Sequence, residues 1–288
     1  MNNEIPLTFD CAQHMLLSII HQPSIVKDTG VLVVVGGPQY RVGSHRQFVL
    51  LARFLSSNDI SVMRFDYHGM GDSTGPLTSF EDCERDMKVA IDVFFEQVPR
   101  LKNVVIWGLC DAASAALFYA YQDQRVKGLV LLNPWVRTES GIAKAYVKHY
   151  YLSRMSSREL WQKILKGKFN FSESVQSLFG FFSAMTKKNR SKPNSDSASL
   201  FNPNISLPQR MLSGLKRFNG PVMFILSGDD LTADEFRDLI NGSSDWKKAM
   251  NRDNIEIHQV KEANHTFSCR EWRNDVERLS LDWITRQF

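Results

Sequence analysis

The chain contains 288 residues, of which 43% are hydrophobic and 23% are charged, and its formal net charge is +4 at pH 7. These proportions are ordinary for a globular protein and argue against a disordered chain. No apolar run approaches the length of a membrane span and no signal-peptide core is present, so we expect a soluble, cytoplasmic protein. The four cysteines are far apart without a C-x-x-C pair, which indicates neither a disulfide framework nor a zinc site.

Basic residues are concentrated in one segment. Between residues 136 and 217 the chain has 15 Lys and Arg against 4 Asp and Glu, so the remainder is net acidic. A local basic segment on an acidic body indicates a local anionic partner more than general nucleic-acid binding. A solvated basic face is the alternative.

Apolar patterns predict strands in a regular order. Alternation between residues 5 and 20 predicts an opening pair of strands, and continuous apolar runs further on predict strands buried on both faces of a parallel sheet. The buried runs cover residues 30–37, 104–108 and 126–132, and further strands are predicted at 60–65, 221–228 and 255–260.

Helices are predicted between these strands. A capping box from Ser44 to Gln47 precedes one helix, and Ser79 is expected to cap another whose apolar face includes Met87. A last helix covers roughly residues 270–287.

The order of elements predicts an α/β fold with an insertion. Residues 136–218 contain helical patches and no obvious strand. We therefore predict a doubly wound, mostly parallel sheet formed by residues 1–135 and 219–288, with a helical basic lid over residues 136–218. Such a lid would cover the carboxyl ends of the strands, where ligands bind in open α/β sheets.

The turn around Cys110 is the most informative feature. A buried strand breaks at Gly108, Cys110 follows on a sharp turn, and a helix continues through Ala112. This is the layout of a nucleophile elbow, Gly-x-Ser-x-Gly, with a thiol for the hydroxyl and an alanine for the second glycine. Because a helix N-terminus favours a thiolate, Cys110 is the predicted nucleophile. A structural cysteine buried in an ordinary sheet is the alternative.

A thiol nucleophile needs a base and a group that orients the base. Asp230 and His265 each follow a predicted strand, so nucleophile, acid and histidine occur in the chain order of α/β-hydrolases. We predict a catalytic triad of Cys110, Asp230 and His265. Asp229, one residue earlier, is the rival acid.

The oxyanion hole is expected to combine the N–H of Asp111 with one from the loop after Gly37. Pro38 has no N–H to donate, so Gln39 is the predicted second donor, and Tyr40 stays open as an alternative.

Basic residues beside this loop are candidates for meeting an anionic part of a substrate. They are Arg41, His45 and Arg46, with a solvated helix face as the alternative. Asp66 and Asp72 lie in a glycine-rich turn, which we expect them to brace through backbone hydrogen bonds. The sequence contains no phosphate loop, dinucleotide-binding turn or metal cluster, so we expect no cofactor.

Four long motifs carry a family resemblance: GGPQYRVGSHRQF at 36–48, RFDYHGMGDS at 64–73, GLCDAASA at 108–115 and NPWVR at 133–137. With them the chain resembles the exosortase A system-associated hydrolases of the type-1 group, a branch of the α/β-hydrolase superfamily. That group accompanies exopolysaccharide biosynthesis and protein-sorting loci in Gram-negative bacteria. The resemblance covers nearly the whole chain, is weakest between residues 166 and 208, and has His68 where the group has arginine. It implies an α/β-hydrolase fold and a hydrolase without a settled substrate.

Three functions follow from these features. The first is an acyl ester or thioester hydrolase that forms an acyl-thiol intermediate on Cys110, with acyl-CoA or acyl carrier protein as partners that suit the basic segment. The second passes the acyl group to a saccharide hydroxyl. The third is a non-catalytic binding protein that keeps the hydrolase fold. The sequence leaves the oligomeric state open.

Overall fold

One mixed sheet forms the centre of the computed structural model, which describes residues 3–37, 39–136 and 205–288. In this part of the chain the sheet has eight strands in the order β1-β2-β4-β3-β5-β6-β7-β8. The strands are β1 Asn3–Cys11, β2 His14–Gln22, β3 Thr29–Val34, β4 Val62–Asp66, β5 Asn103–Leu109, β6 Val126–Leu132, β7 Val222–Ser227 and β8 Ile255–Val260.

The pairing changes from antiparallel to parallel across the sheet. β1 and β2 form a hairpin, and β2 pairs antiparallel with β4. The hairpin turns at Ala12 and Gln13, both at positive φ, as a tight two-residue connection requires. All later neighbours pair in parallel. β3 lies between β4 and β5 and is buried throughout, which explains its continuous apolar run.

Helices cover both faces of the sheet. Within the described ranges they are α1 Gln47–Ser57, α2 Glu84–Gln97, α3 Asp111–Tyr119, α4 Leu207–Arg217, α5 Leu231–Gly242, α6 Ser244–Met250 and α7 Arg270–Gln287. None of these helices combines the length and the apolar character that a membrane span needs. The arrangement confirms the predicted α/β-hydrolase fold with a doubly wound, mostly parallel sheet.

Two apolar clusters fill the space between the sheet and its helices. On one face, residues such as Met87 of α2 and Ala116 of α3 pack against the sheet. On the other, Leu51 of α1 and Trp283 of α7 do the same. Small side chains let α3 lie close to β5, because a Cβ on Gly108 would come within 2.8 Å of the helix backbone.

The helix α4 belongs to this core. Met211 and Leu215 are fully buried in the same cluster as α3, and Gly214 lies directly against the carbonyl of Leu117. The predicted lid, residues 136–218, includes α4. In the structure the apolar face of α4 packs in the core instead. Residues 137–204, the rest of that segment, lie outside the described residues.

Two predicted helix caps are wrong. Residues Ser44–Arg46 form a short 3-10 turn without a side-chain cap, and α1 begins only after Arg46. The hydroxyl of Ser79 accepts from the N–H of Glu81 in a turn, whereas α2 begins at Glu84. The side chain of Ser79 thus stabilises a turn that precedes α2, a role that serine hydroxyls favour.

A buried ionic cluster holds the loop after β3 to the turn after β4. Asp66 is fully buried and accepts from the backbone N–H of Arg41 at 2.6 Å, and its other oxygen pairs with the Arg41 guanidinium. Asp72 pairs with the same guanidinium at 2.7 Å and donates its N–H to Asp66. The guanidinium of Arg64, 1% exposed, contacts His21 at 3.0 Å and the carbonyl of Arg41. The predicted bracing through backbone hydrogen bonds is confirmed for Asp66, whereas the carboxylate of Asp72 pairs with a side chain, the guanidinium of Arg41.

Replacing Asp66 with Ala is expected to lower the free energy of unfolding by about 3–5 kcal/mol, because Arg41 would lose its buried partner and keep only the exposed Asp72, and the N–H groups of Arg41 and Asp72 would lose their acceptor. Urea unfolding measures the loss. The control is Lys88→Ala, which removes an exposed pair with Asp92 and is expected to change stability by no more than about 0.5 kcal/mol. A loss below about 1 kcal/mol for Asp66→Ala would show that the cluster does not hold the loop.

Candidate active site

Cys110 occupies the turn between β5 and α3 in a strained conformation. Its backbone has φ 63° and ψ −125°, a region that a non-glycine residue enters only when its surroundings force it there. A Cβ on Gly36 would come within 2.4 Å of the carbonyl of Leu109, so the neighbouring loop can approach only as glycine. The thiol-bearing residue is partly buried and packs against the apolar cluster that contains α1.

Backbone hydrogen bonds hold this turn from β6. The N–H of Cys110 donates to the carbonyl of Leu132 at 2.9 Å, and the carbonyl of Cys110 accepts from the N–H of Trp135 at 3.2 Å. The hydroxyl of Ser114 in α3 donates to the carbonyl of Trp135 at 2.7 Å. The turn at Cys110 is thus held by hydrogen bonds to the end of β6 and to the segment that follows it.

Asp230 and His265 form a hydrogen-bonded pair. Nδ1 of His265 lies 2.8 Å from Oδ2 of Asp230. Asp230 also caps α5 by accepting from the N–H groups of Thr232 and Ala233. With Nδ1–H donating to this carboxylate, Nε2 is the ring nitrogen left to accept a proton. Of the two candidate acids, Asp230 contacts His265, while Asp229 is exposed.

The pKa of Asp230 shows that it stays ionised. Burial alone would raise the pKa of this carboxyl, but the hydrogen bond and the charge of His265 and the two helix N–H groups bring it below its ordinary value. Asp230 is therefore a carboxylate throughout the neutral range and can stabilise a protonated His265.

Asp111 turns its side chain inward. Its Oδ1 accepts from the N–H of Gly37 at 2.6 Å. Burial raises the pKa of Asp111 above its ordinary value, although hydrogen bonds from Gly37 and the N–H groups at the start of α3 partly oppose this. His265 also acts on this carboxyl through its charge. The carboxylate thus lies beside the groups predicted to form the oxyanion hole.

The rest of the predicted oxyanion loop is braced locally. Oε1 of Gln39 accepts from the N–H of Ser44 at 3.1 Å, and the carbonyl of Tyr40 accepts from the N–H of Gly43 at 2.9 Å. The choice between the N–H groups of Gln39 and Tyr40 as second oxyanion donor stays a prediction.

The predicted substrate residues divide into two kinds. Arg41 is engaged with Asp66 and Asp72 and largely buried, so the structure assigns it to bracing the loop rather than to meeting a substrate. His45 and Arg46 are exposed, both at positive φ. They remain candidates for contacting an anionic group.

Residues without a predicted role also shape the site. Asn133 and Ser227 bind the loop that carries His265. An asparagine at the end of a buried strand was the available signal for the first. His68, which stands where the resembling group has arginine, places Nδ1 2.6 Å from Asp86 and Nε2 against the Thr78 hydroxyl. It therefore ties the turn after β4 to α2.

Comparison with known proteins places the chain among hydrolases. The sequence pattern of the family described as serine aminopeptidase, S33 matches residues 29–267. No curated protein matches the chain. The Pyrococcus furiosus esterase structure is 15% identical, with a TM-score of 0.64, over 99% of this chain and 93% of that one.

Two further solved structures share the fold. A dienelactone hydrolase from Anabaena variabilis is 13% identical with a TM-score of 0.61, covering 100% of this chain and 99% of that one. A Butyrivibrio proteoclasticus protein with bound ferulic acid is 12% identical with a TM-score of 0.61, covering 98% of each chain. At these identities the likeness shows the α/β-hydrolase fold.

The thiol of Cys110 is expected to have a pKa below the ordinary value of about 8.5, because the N-terminus of α3 and the predicted triad partner His265 favour the thiolate. Asp111→Asn should lower this pKa further by removing a fixed negative charge, and His265→Ala should raise it. Rates of iodoacetamide alkylation against pH measure it.

Alkylation is followed in a Cys269→Ser background, since Cys11 and Cys83 are buried. Asp229→Asn, which neutralises an exposed carboxylate instead, is the matched control for Asp111→Asn and should leave the pKa unchanged. A thiol pKa at or above about 8.5 in the parent protein would contradict the expectation.

Proposed function

Because the chain belongs to the serine aminopeptidase S33 family of α/β-hydrolases, we propose that it is an acyl ester or thioester hydrolase whose nucleophile is Cys110. The observation that carries the proposal is the Asp230–His265 hydrogen bond at 2.8 Å, on the same sheet as an elbow that presents a thiol. The family description names a serine enzyme, so the cysteine is the feature that distinguishes this chain.

The order of strands supports a shared site. Cys110 follows β5, Asp230 follows β7 and His265 follows β8, and these strands, with β6, are parallel neighbours. The carboxyl ends of parallel strands meet at one edge of a sheet.

The chemistry then proceeds in two acyl transfers. Nε2 of His265 takes the proton of the Cys110 thiol, and the sulfur attacks the acyl carbonyl to give a tetrahedral oxyanion. Collapse breaks the bond to the alcohol or thiol, which leaves with the proton from His265. Water then attacks the acyl-thioester while His265 takes its proton, and a second collapse releases the carboxylic acid and restores the thiol. Asp230 stabilises the imidazolium in both steps.

Backbone N–H groups are proposed to stabilise the oxyanion. One proposed donor is the N–H of Asp111, at the start of α3, and the second comes from Gln39 because Pro38 has none. Each such donor is worth about 10²–10³ in turnover. The Asp111 carboxylate orders the loop through Gly37, but it also adds negative charge beside the hole.

The substrate class is proposed from charge and resemblance. The excess of 15 Lys and Arg over 4 Asp and Glu between residues 136 and 217 suits an anionic acyl carrier, such as acyl-CoA or acyl carrier protein. The resemblance to exosortase-associated hydrolases favours a reaction linked to exopolysaccharide biosynthesis. The esterase and dienelactone hydrolase neighbours favour ester or lactone carbonyls as the reacting group.

Cys110→Ala should reduce kcat/KM by about 10⁴-fold or more on any substrate that a panel of p-nitrophenyl esters and acyl-CoA thioesters identifies. Asp230→Asn should cost about 10²–10⁴-fold, because His265 would lose its orientation and the stabilisation of its charged form. Asp229→Asn, the adjacent exposed carboxylate, is the matched control and should stay within about twofold.

Intact-mass measurement should find an acyl adduct on the parent protein that Cys110→Ala lacks. Equal turnover by the parent and Cys110→Ala would overturn the cysteine nucleophile. An adduct that is discharged only when a saccharide is added would assign transfer instead of hydrolysis. No adduct and no turnover across the panel would favour a binding protein.

A further inference from the structure

Asn133 is a buried polar residue at the centre of the candidate site. It follows β6 directly, is 0% exposed, and has φ 42°, a conformation that asparagine tolerates better than most residues. Its backbone N–H donates to the carbonyl of Ile225 at 3.2 Å. A buried amide is costly unless its donors and acceptor are satisfied, so the partners of this side chain matter.

The amide group of Asn133 is bonded at both ends. Nδ2 donates to the hydroxyl of Ser227 at 2.8 Å and to the backbone carbonyl of His265 at 3.1 Å. Oδ1 accepts from the N–H of Ser227 at 2.8 Å. The hydroxyl of Ser227 in turn donates to the carbonyl of Asn264 at 2.9 Å. One side chain from β6 therefore holds the end of β7 and, directly and through Ser227, the loop with the histidine.

The position of Asn133 in the sheet gives these bonds their consequence. The proposed triad uses the strands on either side of β6 and beyond, and β6 itself supplies no triad member. Leu132, the preceding residue, accepts from the N–H of Cys110 at 2.9 Å. Two consecutive residues thus fasten the nucleophile by backbone and the histidine loop by side chain.

We propose that Asn133 is a positioning residue that sets the distance between the thiol of Cys110 and the imidazole of His265. It acts by holding the backbone carbonyl of His265 and touches no reacting atom. The inference rests on the proposed function, because it assumes that His265 activates Cys110. A misplacement of about 1 Å at such a site costs about 10²-fold in rate.

Asn133→Asp is the discriminating variant. It keeps the shape of the side chain and the acceptor for Ser227, but it replaces the donor with an oxygen that repels the carbonyl of His265. We expect kcat to fall about 10²-fold with KM within about twofold, because the substrate does not contact Asn133. The pKa of the Cys110 thiol should rise toward the value in His265→Ala.

The matched control is Asn103→Ala. Asn103 is the first residue of β5 and lies at the amino ends of the parallel strands, opposite the candidate site. Its amide donates to the hydroxyl of Thr29 at 3.4 Å. Its removal deletes a side-chain amide without touching the carboxyl ends of the strands. Thermal unfolding of each variant confirms that the comparison is made on folded protein.

Alkylation of Cys110 against pH, in the full chain with Cys269→Ser, separates the two ideas because it needs no substrate. If the parent thiol has an ordinary pKa that His265→Ala does not change, the proposed function fails. If His265→Ala raises the pKa and Asn133→Asp does not, the positioning role is overturned. Ser227→Ala cuts the parallel link to Asn264 without adding a charge, so it must shift the pKa in the same direction as Asn133→Asp, and it replaces that variant if Asn133→Asp does not fold. An unchanged pKa in Ser227→Ala overturns the inference.

Discussion

The positive φ of Cys110, in the turn between β5 and α3, is the constraint on which the candidate active site depends. Such a conformation costs on the order of 1–3 kcal/mol and persists only where the surrounding structure over-determines it. Here the N–H of Cys110 is fixed to Leu132 and its carbonyl accepts from Trp135 and from the first turn of α3. Glycines at positions 36 and 108 give the loop and the helix the space to approach the strand. The turn places Cys110 at the carboxyl end of β5, partly exposed, and the roles proposed for the neighbouring residues depend on the position of its thiol.

The parallel sheet brings the right loops to one edge, but buried polar side chains fix them there. Asp66 binds the loop after β3 to the turn after β4 through Arg41. Asn133 binds the end of β7 and the histidine loop to β6. Each group is fully buried and hydrogen-bonded at several atoms, so moving any one loop would leave a buried donor or acceptor unpaired. Satisfied networks of this kind specify one arrangement of loops that apolar packing alone would leave loosely determined.

Local patterns were enough to predict the strands and the elbow. The run before Cys110 is apolar because β5 is buried on both faces, and the final helix was predicted at its observed bounds, Arg270–Gln287. What the sequence could not show depends on contacts between distant positions. Arg41 was predicted to meet a substrate because it lies beside the predicted oxyanion loop. Its bracing role could not be predicted, because its partner Asp66 lies 25 residues away and no local pattern joins them. The inward turn of Asp111 depends on the N–H of Gly37, 74 residues earlier in the chain. The basic residues of α4 led to its assignment to the basic lid. The sequence alone could not show that the apolar face of α4 packs on α3.

In the proposed mechanism, the carboxylate of Asp111 makes a thiol at position 110 a more suitable nucleophile than a hydroxyl. Asp111 is held at Gly37 and cannot turn away, so it opposes negative charge both on the nucleophile and on an oxyanion next to it. A hydroxyl must lose its proton to the base as it attacks, whereas a cysteine is a few per cent thiolate at pH 7 and strongly nucleophilic in that form. The negative charge of Asp111 therefore disfavours ionisation of the side chain at position 110, and a thiol is the group that needs the least help to ionise. In return, the same carboxylate orders the glycine loop from which the second oxyanion donor is proposed to come. We therefore interpret Cys110 and Asp111 together. The carboxylate of Asp111 orders the glycine loop through Gly37, and the proposed thiol nucleophile tolerates the negative charge that this carboxylate adds.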